Sequence, residues 1–278
     1  MKKHAKEVFM IYFDTHAHYL SDRFKIDRHK VLLDAYRNGV KYIVNSTSTL
    51  ELDAGLRLSQ KYDFIYLSIG DCCSWTTGLA GDEYISDEIL TKMIKFCKKN
   101  KKVVAWGEIG LGLNKAEYVI GRGKENQVYW FKKQLDAAKH AKLPVIIHSR
   151  DACQLVFNIL SKADMPDYGY GKGMIHCYSG TPDMALKYIK MGYLISIGGI
   201  VTYRGASNLV ETVKRIPINK ILLETDCPYL TPEPNRRQRN NSNNLKLIVN
   251  KIADIKKISP ERVSKITTSN AKLLFRIK

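Results

Sequence analysis

The chain has 278 residues, 45% hydrophobic and 10% aromatic, enough for a sizeable core in either one large α/β barrel or two ordinary domains. Its 45 Lys and Arg against 27 Asp and Glu give a net charge of +18, which favours a polyanionic partner, nucleic acid ahead of an acidic membrane surface. No apolar run reaches the roughly 18 residues of a membrane span, and the amino-terminal stretch is too short and lacks the cleavage site of a signal peptide, so a soluble cytoplasmic protein without membrane contact is expected.

In chain order, short apolar runs alternate with helical patterns. The runs are Val8 to Phe13, Tyr42 to Asn45, Phe64 to Ile69, Val103 to Trp106, Pro144 to Ile147, Gly173 to Ile175, Tyr193 to Ile197 and Lys220 to Leu223. Between them, apolar residues recur at three and four spacing, as in Val31, Leu32, Ala35 and Tyr36, or Trp130, Phe131, Leu135 and Ala138. Eight strand and helix alternations predict a parallel sheet closed into a (β/α)₈ TIM-type barrel, a single domain over residues 1–278. Ser86-Asp87-Glu88 and Pro182-Asp183 carry helix-start chemistry, and Gly39 and Gly192 stand where helices should stop. Two extra helices are expected at the carboxyl end, Leu245 to Ile255 and Val263 to Phe275, the second capped by Ser259 with Pro260 at its first position. Three longer connections, Asp71 to Tyr84, Gly112 to Lys124 and Asp226 to Asn244, all follow strands, where barrel enzymes build their sites.

Six cysteines, at 72, 73, 97, 153, 177 and 227, show no C-x-x-C spacing and read as reduced thiols, with Cys177 and Cys227 in packing roles. The basic excess is uneven. Residues 232–278 hold 12 Lys or Arg against 3 Asp or Glu, whereas the run Lys95 to Lys102 reads as solvated surface.

Polar residues close several of the apolar runs at the same end. His16 and His18 follow the first, and their spacing on a strand points both imidazoles the same way. Glu108 follows the fourth, His148 the fifth, His176 the sixth and Asp226 the eighth. One histidine ending a strand is ordinarily structural, but four with two carboxylates at one rim predict a metal centre. Nitrogen and oxygen donors suit borderline ions such as zinc, manganese or cobalt rather than an all-oxygen calcium cage. Six ligands exceed one tetrahedral ion and suit two ions bridged by a carboxylate, roughly 3.5 to 4 Å apart, the arrangement that clamps attacking and leaving oxygens in hydrolysis.

Five ordered stretches carry a resemblance to a known family. Asp14 to Leu20, Trp106 to Leu111, Pro144 to Ala152, Ile175 to Gly180 and Leu223 to Leu230 resemble the motifs of the TatD-like metal-dependent deoxyribonucleases, over about Phe13 to Phe275. The resemblance implies a metallo-dependent hydrolase barrel that cleaves DNA phosphodiesters with one or two divalent ions, zinc, manganese, magnesium or cobalt. It also implies that His16, His18, Glu108 and Asp226 hold one ion and Glu108, His148 and His176 the other. Glu108 and Asp226 are then the catalytic carboxylates, Asp226 also orienting or deprotonating the attacking water. Glu224, deeper on the same face as Asp226, is expected to hold the far nitrogen of a histidine ligand. Arg150, Tyr178, Arg204, Arg236 and Arg237, with Arg239 beside them, are candidate substrate contacts.

The chain departs from that family at its loops. Gly110-Leu111-Gly112 stands where Gly-Leu-Asp is usual, Asp71-Cys72-Cys73 where a histidine-proline pair is usual, and Arg236 to Ser242 where Arg-Gly-Lys-x-Asn-Glu-Pro is usual. Two other readings follow from these changes. One is amide or ester hydrolysis by the same metals; the other is a nuclease-like subunit working with protein partners in a larger assembly.

Overall fold

A computed structural model describes residues 10–72, 86–116 and 123–278. Eight strands run in chain order around one sheet: β1 Tyr12–Ala17, β2 Val40–Thr47, β3 Ile65–Ile69, β4 Val103–Gly112, β5 Val145–Arg150, β6 Gly173–Ile175, β7 Tyr193–Ile197 and β8 Ile221–Leu223. Every neighbouring pair is parallel, and the sheet forms a nearly closed (β/α)₈ barrel. The helices are α1 Arg28–Arg37, α2 Leu52–Lys61, α3 Asp87–Lys99, α4 Gly123–Ala141, α5 Cys153–Lys162, α6 Pro182–Lys190, α7 Ser207–Arg215, α8 Leu245–Lys256 and α9 Pro260–Phe275. No described helix is long and apolar enough to cross a membrane.

Local chemistry sets the ends. The Ser86 hydroxyl accepts from the Ile89 N–H, and Ser259 accepts from Arg262 N–H with Pro260 starting α9, as the sequence predicts. At α6 the cap is Thr181, one residue before the expected Pro182 start, its hydroxyl accepting from Met184 N–H. Gly39 leaves α1 at φ +97°, a left-handed turn open to glycine. Lys220 falls in a 3₁₀ turn, Ile218–Lys220, so β8 begins one residue later than expected. Of the long connections, 73–84 and 117–122 lie outside the described residues.

The barrel interior has an apolar floor. Phe13, Val44, Ala105, Ile146, Met174, Leu194 and Leu222, from seven strands, form one buried cluster with Ala271, Leu274 and Phe275 of α9. The last helix therefore plugs the amino-terminal end of the barrel, with the Phe13 and Phe275 rings 5.8 Å apart. A second, larger cluster of outward-facing strand residues, among them Ile43, Trp106, Ile109, Ile147 and Ile195, packs beneath the outer helices.

Two irregularities decide what lies above this floor. Strict alternation from Phe13 would turn Thr15 and Ala17 inward. Between Asp14 and Ala17, however, β1 advances three residues while β2 advances two, from Ile43 to Asn45. The extra residue inverts the alternation and turns His16 and His18 to the interior. Likewise β4 advances three residues from Trp106 to Ile109 while β5 advances two, which brings Glu108 inward between the outward Trp106 and Ile109. Gly107 occupies this bulge at φ +152°, and a Cβ there would lie 2.6 Å from the Ile146 carbonyl oxygen, so the bulge requires glycine.

The seam between β8 and β1 is closed at the carboxyl rim. The Asp226 N–H donates to the His16 carbonyl (3.0 Å), and the His18 N–H donates to the Cys227 carbonyl (2.7 Å). Asp14, wholly buried, accepts from the Thr225 N–H (2.9 Å), the Thr225 hydroxyl (2.6 Å) and the Ser242 hydroxyl (2.6 Å). Burial pushes its carboxyl up to about 7, against hydrogen bonds that favour the ionised form.

Truncating the floor plug tests this packing. Phe275→Ala is expected to cost about 3–5 kcal/mol in equilibrium denaturant unfolding. A loss below about 1 kcal/mol would mean that α9 does not seal the barrel.

Candidate metal centre

The inward residues one layer above the floor are polar. His148 stands two residues beyond Ile146, His176 two beyond Met174, and Glu224 two beyond Leu222. His16 and His18 reach the same level from the end of β1, Glu108 from β4 and Asp226 from just beyond β8, so the six residues expected from the sequence share one rim, with Glu224 beside them.

Glu108 stands at the middle, its side chain 12% exposed. Its Oε1 lies 2.5 Å from His148 Nδ1 and 3.4 Å from His176 Nε2. Its Oε2 lies 3.4 Å from His16 Nε2 and 3.9 Å from His18 Nε2. The two oxygens thus face different histidine pairs. Asp226 Oδ1 is 3.1 Å from His18 Nε2 and 3.7 Å from His16 Nε2, and the two imidazole Nε2 atoms are 3.0 Å apart. Among the described residues, ligand atoms converge within 4.8 Å in three sets: His16, His18 and Asp226; His16, Glu108 and His176; and Cys72, Glu108 and His148.

The electrostatics show what such an array can hold. Burial presses His16 below the ordinary imidazole range, helped by the neighbouring His176. Burial acts the same way on His18, but the hydrogen bond and charge of Asp226 and the charge of Glu108 outweigh it and raise that imidazole. At His176 burial is likewise overcome by the carboxylates of Glu224, Glu108 and Asp226, which lift it to about 9. Burial would raise Glu108, yet the facing His176 and His148 hold it well below the usual carboxylate range. Asp226 is lowered too, burial being outweighed by His18 and His176. A pocket negative enough to keep protons on buried imidazoles is one in which a divalent cation can replace them, and its nitrogen and oxygen donors fit such an ion.

Surrounding contacts fix the candidate ligands. Glu224, wholly buried, lies 3.2 Å from His176 Nδ1 and accepts from the Cys177 N–H at 2.6 Å. Glu224 thus holds the Nδ1 side of the ring while Nε2 faces Glu108 at 3.4 Å, the place the sequence predicts for this carboxylate. Asp226 and Cys177 adopt left-handed backbone, at φ +56° and +44°. Such residues carry strain of order 1 kcal/mol or more and cluster at functional sites.

The centre opens into a cavity of about 550 Å³ lined by every candidate ligand but His16, with Arg150, Cys177, Ser179, Tyr229 and Leu230. Arg150 therefore sits beside the candidate ligands. Arg204, Arg236 and Arg237 are exposed on the loops after β7 and β8, the Arg236 guanidinium stacking 3.8 Å from the Tyr203 ring centre. Tyr178 is buried, and its hydroxyl donates to the Thr181 carbonyl at 2.5 Å. Arg239 makes a bidentate pair with Asp27 (2.9 and 2.6 Å) and lies over the Phe24 ring, which ties the loop after β8 to the start of α1. Sequence reasoning singled out neither Tyr229 nor Cys72 as a site residue. Tyr229 is 48% exposed, with its ring 6.0 Å from that of His18. The five described cysteines form no disulfide, and burial pushes the Cys177 and Cys227 thiols well up.

Residues 13–276 match the model of the TatD related DNase family. The chain belongs to that family. It is 37% identical to the metal-dependent hydrolase YabD of Bacillus subtilis over 267 residues, covering 95% of this chain and 99% of YabD. It is 30% identical to the human deoxyribonuclease TATDN3, covering 94% and 93% of the two chains. Among solved structures, the TatD homologue YJJV of Escherichia coli superposes with a TM-score of 0.86 at 26% identity, covering 98% of this chain and 100% of that one. The TatD-family assignment makes the chain a metal-dependent hydrolase, an enzyme class in keeping with the barrel and with the rim of candidate ligands.

Removing the carboxylate behind His176 tests how these ligands are held. Glu224→Ala is expected to weaken divalent-metal affinity by roughly 10–100-fold in competition against a chromophoric chelator. Unchanged affinity would show that His176 needs no such support.

Proposed function

We propose that this protein hydrolyses phosphodiester bonds of DNA with divalent ions held at the barrel mouth, the whole chain working as one catalytic domain. The observation that carries the reading is the position of Glu108, whose two oxygens face separate groups of histidine nitrogens on the floor of an open cavity. The family assignment, a relative named as a deoxyribonuclease and a net charge of +18 support a polyanionic substrate.

In this reading His16, His18 and Asp226 hold one ion, His148 and His176 the other, and Glu108 serves both. The candidates are zinc, manganese, cobalt and magnesium, with imidazole donors favouring the first three. When bound, such ions supply Lewis acidity that polarises the phosphate and lowers the pKa of water toward roughly 7.

The remaining work falls to the chain. Glu108, kept ionised by the imidazoles around it, fixes the spacing of the two halves of the site. Asp226, at the cavity wall, accepts a hydrogen bond from the attacking water and aligns it with the phosphorus. Glu224 keeps His176 in one orientation throughout. Arg150 lines the same cavity and offers a planar donor to a phosphate oxygen, while Arg204, Arg236 and Arg237 lie outward where the strand would continue. Tyr229, half exposed at the lip, offers a ring face on which a base can stack.

Two measurements check this reading. Metal-loaded wild-type protein should cleave a labelled DNA oligonucleotide, and Glu108→Gln or Asp226→Asn should lower the rate by at least roughly 10²-fold. Cleavage that persists in the double variant would sink the proposal. Separately, Arg236→Ala with Arg237→Ala should weaken DNA binding and reduce the salt slope by about 1 for each phosphate that is no longer neutralised. An unchanged slope would remove these arginines from the DNA path.

A further inference from the structure

The third convergent set contains a sulfur. Cys72 is 6% exposed, stands just beyond β3, and brings its Sγ within 4.8 Å of ligand atoms of both Glu108 and His148. It also lines, with Gly70, Ser46, Ser48 and Glu108, a cavity of about 340 Å³ on the β1 to β3 side of the centre. We propose that Cys72 supplies a thiolate ligand to the ion held by Glu108 and His148, so that this half of the centre is a sulfur, oxygen and nitrogen site. The inference rests on reading Glu108 and His148 as metal ligands, and it adds a donor that this reading does not contain.

The backbone is built to hold that sulfur in place. The residue before it is clamped by Gln134 of α4, which accepts from the Asp71 N–H (3.0 Å) and donates to the Asp71 carbonyl (2.7 Å). The Asp71 side chain accepts from the Thr49 N–H (3.0 Å), and the Gly70 N–H donates to the Thr47 carbonyl (3.2 Å). Gln134 and Asp71 are both almost wholly buried, so these bonds are shielded from water. Gly70 also lets β3 and β4 close up, since a Cβ there would come within 2.8 Å of the Gly107 Cα. That approach sets Cys72 against Glu108, the residue after Gly107.

The chemistry follows from the donor. A thiol binds a metal as the thiolate, its proton leaving to solvent as the ion arrives. Thiolate sulfur favours softer ions, so a site of sulfur, imidazole and carboxylate prefers zinc or cobalt over magnesium or manganese. The two halves of the centre then differ in selectivity. Among the described residues the set of His16, His18 and Asp226 contains no sulfur, so that half accepts a wider range of ions.

The test is optical. Full-length protein freed of metal and titrated with cobalt(II) should develop visible ligand-field bands together with an intense near-ultraviolet sulfur-to-cobalt charge-transfer band. Cys72→Ser should lose the charge-transfer band and keep ligand-field absorption from the remaining ligands, and Cys177→Ser, changing the thiol that lines the neighbouring cavity of about 550 Å³, should retain both. A charge-transfer band that survives Cys72→Ser, is lost in Cys177→Ser, or never forms although cobalt binds would overturn the sulfur assignment and leave the metal centre standing. Failure of the wild type to bind cobalt at all would overturn both.

Discussion

A buried carboxylate surrounded by imidazoles is the interaction on which the centre depends. Burial alone would raise the Glu108 carboxyl, and four histidine rings approach it from both sides and hold it low. Each partner needs the other. Without the imidazoles burial would push the Glu108 carboxyl upward, and without the carboxylates His18 and His176 would lose the field that raises them. Such an array, with two imidazole nitrogens 3.0 Å apart beside two carboxylates, offers nitrogen and oxygen donors suited to a divalent cation.

The fold makes that convergence possible by supporting it from below and closing it at the side. The apolar layer of seven strands with the end of α9 gives the polar layer a dry base. At the seam, Asp14 binds Thr225 and Ser242, and the two backbone bonds beside it join the residues that carry His16, His18 and Asp226. Candidate ligands at the ends of the first and last strands, more than 200 residues apart, are thus held by contacts adjoining them. The left-handed backbone at Asp226 is strain that this closure sustains, in return for turning the carboxylate toward the histidines.

Much of this was legible in the sequence because barrels obey a simple rule, with apolar strands ending in polar residues at one face. The six strand-end residues could be collected from period and position alone, and Glu224 from its spacing to Asp226. The bulges in β1 and β4 could not. A bulge is an extra residue relative to a neighbour, visible only once the strands are paired, and Gly107 was the one local sign of it. Arg239 and Tyr178 show the complementary limit. Both have the chemistry of substrate contacts, but Asp27, which engages Arg239, and the Thr181 carbonyl, which engages Tyr178, are relations that only tertiary structure reveals. Cys72 was not legible as a candidate ligand because a cysteine after a strand most often packs, and its sulfur gains meaning only beside Glu108 and His148.

Anomalous diffraction from crystals of the metal-loaded protein, recorded on both sides of the absorption edge, tests the central claim most directly. Two peaks are predicted at the barrel mouth, one among His16, His18 and Asp226 and one beside His148, with Glu108 in contact with both. Metal bound by other residues, or a single ion that leaves Glu108 untouched, would contradict the account.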